Sequence, residues 1–76
     1  MFWSQGRAIA VPAYDIQEIS FAYSEMHGRL ILLLRGGVAW TIDGELGKMR
    51  VLFAGLLDGK VGAISESAGF AITPPE

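Results

Sequence analysis

The stretch from Ile16 to Asp43 constrains this chain most, because it sets three strand-length segments between glycine-bearing turns. In the first, Ile19, Phe21 and Tyr23 alternate with Glu18, Ser20 and Ala22. That period of two is the mark of a half-buried strand, here over 16–24. Glu25-Met26-His27-Gly28 then reads as a turn in which Gly28 is free to take a positive φ. Arg29 and Arg35 enclose the unbroken apolar run Leu30–Leu34, short enough to favour a strand buried on both faces over a helix. Gly36-Gly37 is a tight-hairpin signal, followed by a third strand over Val38–Ile42 and a closing turn at Asp43-Gly44. The expectation is a three-stranded antiparallel meander across 16–43.

The flanks are less strongly written. Arg7–Val11 has the length of an edge strand, ended by Pro12, which has no N–H for a ladder. The region 45–64 admits two readings. Leu46, Met49, Phe53, Leu56 and Leu57 are spaced as one face of a helix, although Gly47 and Gly55 each weaken it by about 1 kcal/mol relative to Ala. The rival is a pair of strands, 49–54 and 61–65, around Leu57-Asp58-Gly59-Lys60. The helix is preferred. A last short strand is expected at 68–73, around Phe70 and Ile72. Ile42–Gly47 and Leu57–Gly62 echo one another faintly, as two turns of one type.

The fold class expected is therefore α+β: a small antiparallel β-meander of three to five strands with one helix packed on a face, in a single domain over 1–76. The helix would cover Phe21, Tyr23, Leu32 and Trp40. The other face would show Ile31 and Leu33 beside Ser20, Ala22, Ala39 and Thr41. The alternative is a small all-β barrel, in which Ile31 and Leu33 are simply core.

Composition narrows the function. A chain of 76 residues buries only a little over ~60% of its unfolded surface. Chains this small compensate with disulfides, metals or oligomerisation. There is no Cys and only one His, which excludes disulfides, thiolate zinc sites and a poly-His site within one chain. Self-association is the device left. Hydrophobic residues make up 51% and charged residues 18%, below the usual ~25%, which points the same way. The six bases, Arg7, Arg29, Arg35, Lys48, Arg50 and Lys60, are scattered, and the net charge is -2, so nucleic acid is disfavoured as a partner. No run approaches the ~18 apolar residues of a membrane span, and Met1–Arg7 lacks the basic-then-apolar order of a signal peptide. The expectation is a cytoplasmic protein with no membrane partner.

Motifs for chemistry are lacking. His27 sits in a turn, where polar residues are ordinary. Asp15, Glu18 and Glu25 read as solvated carboxylates rather than an acid–base pair. Asp43-Gly44-Glu45 and Asp58-Gly59 lack the alternating oxygen ligands of a calcium loop. Gly55–Val61 is one residue short of a phosphate loop, and Val61 replaces its metal-holding Ser or Thr. The serines have neither an elbow motif nor a partnering His. No enzyme and no cofactor is expected.

What remains is a non-catalytic protein-interaction module that docks on a partner protein as a homo-oligomer. In size and composition it is of the kind seen in phage or mobile-element inhibitors and accessory subunits. Its interface candidates are Phe2, Trp3, Ile31 and Leu33. The alternative is a small-molecule or nucleotide binder with its site at an oligomer interface. In that case turn amides at Gly28, Gly36 or Gly59 would hold an anion beside Arg29, Arg35 or Lys60.

Overall fold

The computed structural model describes residues 7–75. Strands β1 (Ala8–Ala10), β2 (Ile16–Ser24), β3 (His27–Leu34) and β4 (Val38–Glu45) precede the helix α1 (Leu46–Leu57), and β5 (Ala63–Ser65) and β6 (Ala71–Thr73) follow it. Four strands form one antiparallel sheet in the order β2-β3-β4-β6, and β1 pairs with β5 in a second, two-stranded sheet. The architecture is the expected meander with one helix on a face, and no barrel closes among the described residues.

Strand β2 occupies 16–24, as its alternation requires. The turn after it is shorter than expected. Only Glu25 and Met26 lie between the strands, and the positive φ, 50°, falls on Glu25 rather than on Gly28. Gly28 is inside β3, opposite Tyr23 and Gly44. The second hairpin turns at Arg35-Gly36-Gly37, where both glycines take positive φ, 91° and 82°.

The Leu30–Leu34 run is not buried on both faces. Leu30 and Leu32 are fully buried, Leu33 and Leu34 are half-buried, and Ile31 is 42% exposed. The run is continuous because β3 is a central strand whose second face is apolar without being covered. Asp43-Gly44 is also not a turn. Both residues belong to β4, which runs directly into α1. The echo between 42–47 and 57–62 therefore joins unlike structures, a strand end and a helix end.

The helix stands where the amphipathic spacing put it, over 46–57. Its start is poorly capped: Glu45 makes no side-chain cap and the first turn has no acidic residue. Burial of Met49, Leu52 and Leu56 on the sheet compensates. Its end is well formed. Gly59, with φ 71°, lets its own N–H donate to the Leu56 carbonyl at 3.2 Å and the Lys60 N–H donate to the Gly55 carbonyl at 2.9 Å.

The core comprises Val11, Leu30, Leu32, Ile42, Met49, Leu52, Leu56, Ile64 and Ile72, with Ile9 at its margin. Phe53 stacks on Phe21 with centroids 5.1 Å apart, tying α1 to β2. Trp40 is half-buried at the core edge. Tyr23 lies beyond the helix's cover at 65% exposed, with the Arg50 guanidinium 5.9 Å from its ring centre. Glu66 closes the second sheet onto the first. Its carboxylate accepts the Arg7 N–H at 2.6 Å and the Ile72 N–H at 3.0 Å.

Candidate functional site

Among the described residues, the helix covers one face of the four-stranded sheet and leaves the other open. Side chains alternate across a pleated strand, so the register fixes which residues share that open face. One row across it is Ser20, Ile31, Thr41 and Thr73, and the next is Ala22, Arg29, Asp43 and Ala71. Glu18, Leu33 and Ala39 form a third row toward one end of the strands, and Ser24 and His27 stand at the other. Ile31 and Leu33 therefore occupy the middle of the face, on its central strand, with small or polar neighbours on both sides.

One end of this face carries an ordered polar group. Arg29 Nε donates to Asp43 Oδ1 at 2.8 Å, and His27 Nε2 lies 3.1 Å from the same oxygen. An ionised carboxylate only accepts, so the hydrogen of that bond belongs to His27 Nε2. The Asp43 side chain is 16% exposed, against 58% for His27 and 59% for Arg29. Burial alone pushes its pKa up and is the largest single influence. The bonds from Arg29 and His27, with their charges, together outweigh it and hold the carboxyl below its ordinary value. Ala22, Tyr23, Ser24, His27 and Arg29 line a shallow hollow of about 210 Å³ beside this group.

The three proposed anion contacts are not brought together. Arg29 is engaged by Asp43. Arg35 lies six residues along the strand direction, roughly 20 Å away at strand rise. Its guanidinium donates to the Tyr14 carbonyl at 3.2 Å and sits 3.8 Å from Asp15, while its N–H donates to the Asp15 carbonyl at 2.7 Å. Arg35 thus fastens the end of β3 to the loop before β2. Lys60 is exposed beyond the helix end, where its backbone closes the cap. The Gly28 amide is part of a strand rather than a turn. Phe2 and Trp3 lie outside the described residues.

The His27–Asp43–Arg29 group has no signal in the sequence, where Asp43 and His27 each read as turn residues. Only the strand register places residues 27, 29 and 43 on one face. Among the described residues, no group of three or more His, Cys, Asp or Glu side chains could hold a metal ion. Likewise, no helix among them is long and apolar enough to cross a membrane. A groove of about 550 Å³ runs between α1 and the segment after it, over Val51, Leu52, Val61, Ala63 and Phe70, with Lys48 and Glu45 at its rim. No protein-family model, no curated protein and no solved structure matches this chain.

Proposed function

We propose that this chain is a non-catalytic protein-interaction module that docks a partner protein through the helix-free face of its sheet, and that it works as a homo-oligomer. One observation carries the reading. A large aliphatic side chain, Ile31, stands 42% exposed beside half-buried Leu33 at the centre of an uncovered sheet face. An apolar centre with a polar rim is the anatomy of a protein interface. The rim here is Arg29, His27 and Asp43 at one end and Glu18 at the other. The mutual pairing of Arg29, His27 and Asp43 fixes their positions before any partner arrives, which lowers the ordering cost of binding.

A ligand-binding reading has less behind it, since Arg29 and Arg35 are committed to intrachain partners. The test compares Ile31→Asp with Val51→Asp, the latter on the helix, 74% exposed and away from the open face. Both variants should fold, as judged by circular dichroism and melting. A partner captured by the parent and by Val51→Asp, and lost by Ile31→Asp, supports docking on the open face. Equal capture by all three overturns it.

A further inference from the structure

We infer that two copies of this chain join antiparallel along β2, fusing their four-stranded sheets into one of eight strands. The inference rests on the self-association in the interaction reading and names its surface, which is the sheet edge rather than the open face.

The two edges of the sheet are unequally protected. At one edge, β6 has three residues and is followed at once by Pro74 and Pro75, which have no N–H to offer a neighbouring strand. At the other edge, β2 runs for nine residues without proline or glycine, and Glu18 is its single charged side chain. Long, weakly charged edges of this kind are templates for a further strand.

The backbone groups that would take that strand follow from the hairpin. Two residues, Glu25 and Met26, connect β2 and β3, so the flanking pair Ser24 and His27 exchanges both hydrogen bonds. The pattern alternates from there. Ser24, Ala22 and Ser20 direct their N–H and C=O groups to β3. Tyr23, Phe21 and Ile19 direct theirs outward, with no strand beyond them among the described residues.

A second β2 satisfies this set. Pairing all nine residues against nine puts the two-fold axis at Ser20. Ile19 then faces Phe21 of the second copy, and the groups that point outward on each strand meet one another. Glu18 faces Ala22 of the second copy, so no two carboxylates are opposed. Helix-side residues stay on the helix side in both copies, because register parity is kept. The β-bulge between Ile16 and Glu18 limits the regular ladder to the centre of the strand, where these pairs lie.

The test uses the charge at position 22. Within one chain Ala22 is opposite Arg29, so a carboxylate there gains an attraction and an ammonium a repulsion. Across the proposed interface it faces Glu18, and the signs reverse. Ala22→Glu should raise the dimer dissociation constant about tenfold, through two symmetric like-charge pairs, and Ala22→Lys should lower it. Folding stability should move the opposite way, which separates assembly from folding. Ile31→Asp should leave the dimer unchanged. Dissociation constants come from native mass spectrometry across a dilution series. Amide exchange supplies the second readout. In the dimer the Ile19 and Phe21 amides should slow by at least about tenfold, while those of Ser20 and Ala22 are protected throughout. A chain that stays monomeric to millimolar concentration overturns edge pairing, as does a dimer indifferent to the charge at 22. A dimer abolished by Ile31→Asp alone also overturns it, while leaving open-face docking intact. Conversely, the edge dimer stands and open-face docking fails if Ile31→Asp keeps full partner capture.

Discussion

Gly28 lies directly beneath Met49, so close that a Cβ on Gly28 would stand 2.8 Å from the Met49 Cβ. Its cross-strand neighbour Gly44 is under the same side chain, with 3.2 Å from an added Cβ to the Met49 sulfur. The two glycines make a flat seat in the sheet, and Met49 fills it without exposure. The close approach of helix and sheet at this end depends on the missing side chains.

Gly28→Ala should therefore destabilise the fold, although alanine ordinarily suits a strand better than glycine. The Met49 Cβ is fixed to the helix backbone and cannot swing aside as a side-chain tip can. Overpacking of this kind costs about 1–3 kcal/mol. Urea unfolding of the two proteins measures it, and equal midpoints would contradict the seat.

The run Leu30–Leu34 yields a sharper contrast. Leu32 is fully buried and Ile31, its neighbour, is 42% exposed. Leu32→Ala should cost about 2–5 kcal/mol, a large part of a small fold's stability. Ile31→Ala should cost less than about 1 kcal/mol, as surface changes do. Thermal melts of both variants decide this. Comparable losses would mean that β3 is covered on both faces.

The same run shows how far sequence reading reaches. Where polarity alternates, as in Ile16–Ser24, strand and bounds follow directly from the pattern. Where a strand is apolar throughout, the pattern identifies a strand but not which face is covered. That is decided by where α1 lands. The glycines misled for a related reason. Gly28 and Gly44 resemble turn residues locally, yet they are strand residues kept small by Met49, which is distant in sequence from Gly28. The pairing of β1 with β5 joins Ile9 to Ile64, too far apart for any local signal. The open face at Ile31 and Leu33 was legible from parity alone. The Asp43 group was not, because it needs the register of β3 against β4.

Glu66 makes acid stability a measurable property of this fold. Hydrogen bonds from the Ile72 and Arg7 N–H groups hold its carboxyl below the ordinary glutamate value. A carboxyl depressed in the folded state stabilises above its unfolded value, and that contribution is lost as pH falls through the folded one. Melting temperature should therefore be flat near neutrality and fall below the ordinary glutamate range. In Glu66→Gln one acceptor becomes a donor facing a backbone N–H. The variant should melt lower at neutral pH and lose less on acidification. An unchanged acid limb would remove Glu66 from the account.

Asp43 tests whether the polar end of the open face is ordered by one carboxylate. Asp43→Asn keeps the shape of the side chain but removes the charge that Arg29 and His27 share. Net hydrogen bonds to charged groups contribute about 1.5–3 kcal/mol, and solvent exposure of both partners places this pair at or below the lower end. A loss near 1 kcal/mol is expected, with circular dichroism unchanged. His27→Ala, which leaves the shorter Arg29 bond in place, should cost less. The double variant should cost little more than Asp43→Asn alone, because His27 has no other side-chain hydrogen-bond partner among the described residues. If the two losses simply add, His27 acts independently of Asp43. The rim of the open face would then be a set of separate surface charges rather than one preorganised group.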